Sequence, residues 1–328
     1  MLKRENVLKL LAENLRPLTK WLDDPSVTEI MVNPGGHVYV ESGGHKTSQG
    51  QLLSPTAIDM ALKALARSVN RDAKAHSESS IVDATLDDLR IAGALHPVSP
   101  DGSFITIRKH QDKSKRPTLE QLVNEWQSLT QAQADTLVDL VINQKKNCII
   151  AGATGSGKTT ITNALLSKIP NHERIFTIED ASELQVDVPN RVSLVTNPTD
   201  NLTARMMVKL AMRSYPDRLV LGETRGDETY DLIRAFNSGH DGSISTVHAS
   251  SAEAALEALE MLYQMSLPSG ASIPTEMVRR YIARSVNVVV YAKRTISVVG
   301  GVPITTRCIQ DIFLVKGVVN GQYDLQEA

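Results

Sequence analysis

The chain has 328 residues, of which 22% are charged, 41% hydrophobic and 4% aromatic, and this composition is typical of a soluble globular protein. Its 35 Lys and Arg against 37 Asp and Glu give a formal net charge of -2, so no overall basic field indicates a nucleic-acid partner. Because single domains commonly have roughly 100–200 residues, the length predicts two domains.

The two cysteines, Cys148 and Cys308, lie far apart and form no CxxC pair. This excludes zinc ribbons, thioredoxin-like motifs and disulfide frameworks, and it favours a reducing cytoplasm. No window approaches the ~20 continuous apolar residues of a membrane-spanning helix, and residues 1–20 lack the apolar core of a signal peptide. We therefore expect a cytoplasmic protein that neither spans a membrane nor is exported by that route.

Residues 1–112 are predicted to form a small α+β domain. Leucines spaced three and four apart between residues 7 and 22 predict a helix packed on its own domain, with a kink or break at Pro17. A second helix is predicted over 56–69. Five β-prone runs predict strands, the first two joined by a turn at residues 33–36: 29–32, 37–41, 81–86, 89–96 and 104–108.

A polar segment that ends in Pro117 predicts a linker over 113–117. Residues 118–328 then alternate between predicted helices (119–126, 132–143 and 160–167) and predicted strands (148–151, 174–178, 218–221 and 243–247). This alternation predicts an α/β fold with a mainly parallel sheet covered by helices. Two more strands, 286–292 and 303–315, are expected to be antiparallel around a Gly300-Gly301 turn.

A full match to the P-loop pattern lies between a predicted strand and a predicted helix: Gly152-Ala153-Thr154-Gly155-Ser156-Gly157-Lys158-Thr159. Glycines let backbone N–H groups turn toward phosphate oxygens, and the following helix adds positive potential at its amino end. We expect the loop, extended to Thr160, to bind ATP. Lys158 would reach the β- and γ-phosphates, and Thr159 would ligate Mg²⁺.

Hydrolysis also needs an acid near the metal and a carboxylate that orients water. A hydrophobic strand ends at Glu223, the Walker B arrangement, and on a strand neighbouring the P-loop strand Glu223 could bind Mg²⁺ through water. Another strand ends at Glu179 and Asp180, with Glu183 expected one helical turn later. We expect Glu179 to polarise the attacking water. Asp180 and Glu183 are the alternatives, although each could equally be a helix cap or a solvated strand end.

His248 follows the predicted strand 243–247 and is expected at another carboxyl end of the sheet. There it could sense the γ-phosphate by hydrogen bonding. A lone histidine is more often a core or surface residue whose ring nitrogens have hydrogen-bond partners than a ligand-sensing residue.

Four segments, in this order and spacing, resemble the type IV secretion traffic ATPases, relatives of the type II secretion and type IV pilus motors. They are the P-loop, the acidic residues 178–180, the Walker B residues 221–226 and the histidine box 238–249. Residues 29–33 and 38–41 are similar to the N-terminal signature of that branch, which includes the conjugation ATPases often called TrbB. Thr224 and Asp227 depart from the family pattern, and the lack of a tetracysteine zinc module argues against the type II branch.

The resemblance implies a homo-hexameric ring in which the N-terminal domain and a RecA-like ATPase domain close on ATP. By the same likeness, Arg90 and Arg108 match positions from which the N-terminal domain reaches the phosphates. The residues alone favour strand arginines in surface ion pairs. The expected partners are inner-membrane components of a secretion or conjugation complex, with weak peripheral contact at the inner face of the cytoplasmic membrane.

The favoured function is a motor ATPase that powers a type IV secretion or conjugal DNA-transfer machine. A type IV pilus or type II secretion motor is the alternative within the same chemistry. A RecA-like nucleic-acid translocase belongs to another class, and the lack of basic or aromatic-rich tracts argues against it and against direct nucleic-acid binding. A nucleotide-gated scaffold without turnover conflicts with the presence of both Glu179 and Glu223.

Overall fold

The computed structural model describes residues 4–69, 72–86, 89–109, 116–197, 201–268, 270–299 and 302–328. The chain divides into two compact units, one formed by Met1–Lys115 with Val298–Ile304 and the other by Arg116–Ser297 with Thr305–Ala328. Within the predicted linker, residues 113–115 lie outside the described part of the chain, and so does the predicted Gly300-Gly301 turn.

The first unit combines three described α-helices with one antiparallel sheet. The helices are α1 (Arg4–Asn14), α2 (Thr19–Leu22) and α3 (Pro55–Ser68). The strands are β1 (Val27–Val32), β2 (His37–Ser42), β3 (His45–Gln51), β4 (Ile81–Leu86), β5 (Leu89–Ala94) and β6 (Phe104–Lys109). Their order is β3-β2-β1-β6-β5-β4, and each neighbouring pair is antiparallel. The predicted β1–β2 hairpin is confirmed.

The sequence predicts no strand at β3, because its residues are polar without apolar alternation, and in the structure most of them are exposed. The strand forms nevertheless because it pairs with β2 at the edge of the sheet, from His37↔Gln51 to Ser42↔His45. Backbone pairing can thus define a strand whose side chains carry no apolar alternation.

One apolar face of this sheet packs against the helices. Ser54 caps α3 by accepting a hydrogen bond from the N–H of Ala57, with Pro55 in the first turn. Three of the leucines between residues 7 and 22 pack with residues of α3 and the strands in one buried cluster: Leu11, Leu15 and Leu18. The predicted break is also confirmed, because Arg16–Leu18 form a 3-10 turn around Pro17.

The second unit has one eight-stranded sheet among its described residues. The strands are β7 (Cys148–Ala151), β8 (Ile175–Glu179), β9 (Arg191–Val195), β10 (Arg218–Leu221), β11 (Ile244–Val247), β12 (Val288–Val299), β13 (Val302–Val319) and β14 (Gln322–Glu327). Their order is β14-β13-β12-β7-β11-β10-β8-β9. From β12 to β9 each strand is parallel to the next in this order, whereas β13 and β14 pair with each other in the antiparallel direction. The predicted mainly parallel sheet is therefore confirmed.

Helices cover this sheet because its central strands are apolar on both faces. The α-helices are α4 (Leu119–Asn124), α5 (Gln131–Leu137), α6 (Lys158–Leu166), α7 (Ala204–Met212), α8 (Glu228–Phe236), α9 (Ala252–Met265) and α10 (Thr275–Ser285). A π-helical turn, Val138–Asn143, follows α5. One buried cluster contains residues of α4, α5 and α6, and another contains residues of α7 to α10. Among the described residues, no helix is both long and apolar enough to cross a membrane.

Two expectations about the acidic strand ends are wrong. Glu223 does not end a neighbour of the P-loop strand, because β11 lies between β7 and β10. Glu183 does not lie one helical turn after β8, because the segment between β8 and β9 is a non-helical loop. The strand β9, which the sequence analysis does not predict, takes the edge position beside β8.

Arg218 ties together the amino ends of the central strands. Its side chain is fully buried and pairs with the buried carboxylate of Glu173. Its Nη1 and Nη2 also donate to the carbonyls of Val141, Ile142 and Gly242. Two of these carbonyls belong to the π-helical turn, so Arg218 supplies donors to backbone groups that would otherwise be buried without partners.

Candidate functional site

The P-loop connects the end of β7 to the start of α6. Gly152, Gly155 and Gly157 have φ values of +155°, +71° and +97°, which residues with a Cβ rarely adopt. Nothing lies within 4 Å of the position that a Cβ on Gly157 would take, so the space at the amino end of α6 is open. The loop thus presents its backbone to a ligand at the positive end of a helix, where phosphate groups bind favourably.

Lys158 is buried beneath this loop and contacts a second strand end. Its Nζ donates to the carbonyl of Gly152 at 2.9 Å and lies 3.3 Å from Nδ1 of His248. Because an ammonium group can only donate, Nδ1 of His248 is the acceptor in this contact. Thr159 and Thr160 follow at half-buried positions in the first turn of α6.

Glu223 lies two residues beyond β10 and has partners on both sides. Its Oε1 lies 2.9 Å from Nε2 of His248, and its Oε2 accepts from Nη2 of Arg225 at 2.9 Å. Nη1 of Arg225 in turn lies 3.1 Å from Oδ2 of Asp180. Lys158, His248 and Glu223 therefore form a continuous contact chain from the P-loop to the Walker B acid.

Glu179, the last residue of β8, is 5% exposed. Its Oε1 accepts hydrogen bonds from the N–H groups of Glu183 and Leu184 at 2.8 and 2.7 Å, whereas Oε2 is buried and has no hydrogen-bond partner among the described residues. Burial raises the pKa of this carboxyl to about 7, and the two N–H donors oppose the rise. One carboxylate oxygen is thus fixed by two backbone donors, and the other is a buried acceptor without a donor among the described residues.

Gly222 leaves the room that Glu179 occupies. A Cβ at Gly222 would lie 3.2 Å from Cγ of Glu179 and 3.5 Å from the carbonyl oxygen of Ile178. The glycine before Glu223 therefore allows β10 and the end of β8 to approach closely, which brings the two acids to the same edge of the sheet.

Asp180 and Glu183, the alternatives for orienting water, have other surroundings. The side chain of Asp180 is 42% exposed and pairs with Arg225, and it also accepts from the hydroxyl of Thr196. Glu183 donates its backbone N–H to Glu179. Glu179 is the most buried of the three carboxylates, and the other two flank it.

Arg116 is a site residue that the sequence analysis does not identify. The residue is half-buried, and its Nη1 is buried without a hydrogen-bond partner in the described part of the chain. Burial lowers its pKa, and the carboxylates of Glu179, Glu183 and Asp187 oppose that effect. Its charge also lowers the pKa of Glu179. No motif marks this residue, because it meets the acids only through tertiary folding.

Both residues that depart from the family pattern make polar side-chain contacts. Thr224 is buried, and its hydroxyl lies 2.7 Å from the hydroxyl of Ser245 on β11. Asp227 lies 3.4 Å from Nη1 of Arg205. Both residues make polar contacts with neighbouring side chains, and neither of these contacts involves the P-loop.

Arg90 and Arg108 are direct partners in the register of β5 and β6. Because cross-strand partners point to the same face, they share the face opposite the apolar core, with Glu29 of β1 next to Arg108. Arg90 also forms an ion pair with Asp83 at 2.9 Å. The surface pairing that the residues alone favour is therefore present for Arg90.

The residues fit ATP and Mg²⁺. Besides the open cradle at Gly157, Oγ of Ser156 and Oε2 of Glu179 are buried polar atoms that have no hydrogen-bond partner in the residues that the structure describes. No cluster of three or more His, Cys, Asp or Glu suitable for a metal is present in the described ranges. A P-loop magnesium ion does not need one, because its ligands are a hydroxyl, water and phosphate oxygens. Thr159, and Glu223 through water, are the groups that would hold it.

Comparison with known proteins gives a consistent assignment. Residues 12–299 match the family described as Type II/IV secretion system protein. A probable conjugal transfer protein TrbB of Sinorhizobium fredii is 32% identical over 308 residues, which cover 93% of this chain and 88% of that protein. The type IV secretion system protein VirB11 of Bartonella quintana is 34% identical over 331 residues, which cover 89% and 91%.

The fold has a counterpart among solved structures. The X-ray structure of the Legionella pneumophila ATPase DotB matches with a TM-score of 0.63 and 17% identity, over 91% of this chain and 79% of that one. The resemblance inferred from the four motif segments is confirmed by matches over most of the chain. The chain belongs to the type II/IV secretion system protein family, within the type IV secretion traffic ATPases.

Proposed function

We propose that this protein hydrolyses ATP to power a type IV secretion or conjugal DNA-transfer machine. The observation that carries the proposal is the contact chain from Lys158 through His248 to Glu223, beside the buried carboxylate of Glu179. A binding-only P-loop needs no such chain. Relatives named for conjugal transfer and type IV secretion support the choice of machine.

In this proposal the P-loop binds the phosphates through its backbone N–H groups. Lys158 leaves the carbonyl of Gly152 for the β- and γ-phosphates, while His248 keeps it connected to Glu223. Mg²⁺, held by Thr159 and by Glu223 through water, would neutralise charge that develops on the phosphates. Oε2 of Glu179 accepts a hydrogen bond from the attacking water and orients it toward the γ-phosphate.

The proposal includes two arginines of the first unit as cationic contacts to the nucleotide. Arg90 and Arg108 would contact the phosphates when the N-terminal domain closes on the ATPase domain. The two domains would open again after phosphate leaves. Their shared exposed face and the family membership support this assignment. Arg90 must then exchange its ion pair with Asp83 for a phosphate.

We also propose a homo-hexameric ring that acts with inner-membrane components of the machine, in the cytoplasm and in weak peripheral contact with the membrane. Family membership supports the ring, and a net charge of -2 supports weak attraction to anionic lipid. Light scattering coupled to sizing in MgATP tests the ring. A mass several-fold above 35.8 kDa is expected, and a strict monomer at micromolar concentration contradicts it.

The experiment that tests the activity is phosphate release from ATP with and without Mg²⁺, by the wild-type chain and by Lys158→Ala. We expect Mg²⁺-dependent release from the wild type and none above background from the variant. Tight ATP binding by the wild type without any release would instead favour the nucleotide-gated scaffold.

A further inference from the structure

Strand β12 extends beyond the strand that carries the P-loop. The two strands are parallel, with partners from Val288↔Cys148 to Tyr291↔Ala151. β7 ends there and the P-loop begins, whereas β12 continues to Val299. The next residue of β12 contacts the loop closely, because a Cβ on Gly152 would lie 2.3 Å from the carbonyl oxygen of Ala292.

The face of β12 that continues past this contact carries Arg294. Val288, Val290 and Ala292 alternate along the strand and pack in the same buried cluster as residues of α6. Since side chains on a strand repeat with a period of two, Arg294 is the next residue on the α6 side. It reaches the P-loop, because a Cβ on Gly155 would lie 3.4 Å from its Nη1 and 4.0 Å from its Cδ.

Among the described residues, no ion pair or hydrogen bond holds the side chain of Arg294. Its Nε is buried and has no hydrogen-bond partner in that part of the chain. In the described ranges no carboxylate forms an ion pair with it. A buried donor of a charged group without an acceptor costs free energy, which an anionic ligand would recover.

The loop segment beside Arg294 is held from a second strand. Arg307 of β13 donates from Nε to the carbonyl of Gly155 at 2.8 Å. That contact fixes the peptide that Arg294 lies against. Gly155 belongs to the part of a P-loop whose backbone cradles the α- and β-phosphates, whereas the lysine reaches the β- and γ-phosphates.

We propose that Arg294 is a second cationic contact to the bound nucleotide and that it binds the α- or β-phosphate. The inference rests on the proposed function, because it assumes that the P-loop binds a nucleoside polyphosphate. Since ADP and ATP share these phosphates, the contact is made equally to both, in contrast to that of Lys158.

The test measures the affinity of the full-length protein for ADP and for a non-hydrolysable ATP analogue, both with Mg²⁺. Arg294→Gln should weaken both by a similar factor of about ten, equal to about 1.4 kcal/mol, and Arg294→Lys should restore most of the loss. The matched control is Lys293→Gln, which removes a charge from the adjacent exposed position and should change neither affinity more than about twofold.

The inference is overturned if Arg294→Gln binds both nucleotides as tightly as the wild type, or if its affinity falls for the ATP analogue alone. It is also overturned if Arg294→Lys binds as weakly as Arg294→Gln. Failure of the proposed function has a different signature. In that case the wild type binds neither nucleotide, or Lys158→Ala binds both as the wild type does.

Discussion

Nε2 of His248 lies 2.9 Å from Oε1 of Glu223, and the opposite ring nitrogen lies 3.3 Å from Nζ of Lys158. The imidazole thus connects the phosphate-binding lysine to the Walker B acid across the ends of β11 and β10. Under the proposed function, a shift of Lys158 toward a bound phosphate would therefore act on Glu223 through His248.

The first prediction follows from this connection. His248→Ala should lower turnover by about tenfold to a hundredfold, equal to roughly 1.4–2.7 kcal/mol of transition-state stabilisation, because Lys158 and Glu223 lose their shared partner. Nucleotide binding should persist, since the P-loop is intact. Steady-state phosphate release and nucleotide titration measure both. His172→Ala, at an exposed position, is the control, and a His248→Ala rate within twofold of the wild type would contradict the role of the imidazole.

The second prediction concerns the pH dependence of hydrolysis. Burial raises the pKa of Glu179 to about 7, and the ionised carboxylate is the form that accepts a proton. kcat/KM should therefore rise with pH, with a midpoint near pH 7. Arg116→Ala removes a charge that lowers this pKa, so its midpoint should move to higher pH.

The matched control for that shift is Arg280→Ala, which removes a surface arginine paired with Glu276 on α10. Its pH profile should superimpose on that of the wild type. If the midpoint of the Arg116→Ala profile were unchanged, Arg116 would have no influence on the pKa of Glu179.

The third prediction is that Glu179→Gln, which should slow hydrolysis, stabilises the folded protein at high pH. Glu179 has a pKa of about 7 in the folded state and an ordinary value of 4.5, so the folded protein binds this proton more tightly than the unfolded chain. The stability that this tighter proton binding gives the folded protein is fully present below pH 4.5 and is lost as the pH rises to 7. Glu179→Gln should therefore be more stable than the wild type at pH 8, by about 3 kcal/mol.

Denaturant unfolding of both proteins at pH 8 and pH 5 measures this difference. Most of it should disappear at pH 5, where the wild-type carboxyl is protonated in the folded state. A wild type that is equally stable or more stable at pH 8 would show that the buried carboxylate is stabilised by groups other than those that contact it here.

The fourth prediction concerns the scaffold. Arg218→Met should lower the free energy of unfolding by about 3–5 kcal/mol, because it leaves Glu173 buried beside a single exposed partner, Lys145, and leaves three carbonyls without donors. Adding Glu173→Gln should recover part of the loss. Denaturant titrations of the single and double variants measure both effects, and a loss below about 1 kcal/mol would contradict the anchoring role.

The sequence predicts those parts of the site that are local in the chain. The P-loop glycines, Lys158 and Thr159 form one continuous motif, and the acids end recognisable apolar strands. Strand order is not local, which explains why β11 was not expected between β7 and β10. Arg307 contacts Gly155 across 152 residues of sequence, and Arg116 and Arg294 likewise reach the site only through the fold, so no spacing rule identifies them. Burial of Glu179, which determines its pKa, is also a property of the assembled sheet.

The measurement that tests the account most directly is single-turnover phosphate release, with nucleotide binding measured on the same preparations, for Glu179→Gln, Asp180→Asn and Glu183→Gln. We predict that Glu179→Gln binds MgATP as the wild type does but releases phosphate at least about a hundredfold more slowly, while the other two variants stay within about tenfold of the wild type. Wild-type release by Glu179→Gln would contradict the account, and a selective loss in Asp180→Asn or Glu183→Gln would move the water-orienting role to that residue.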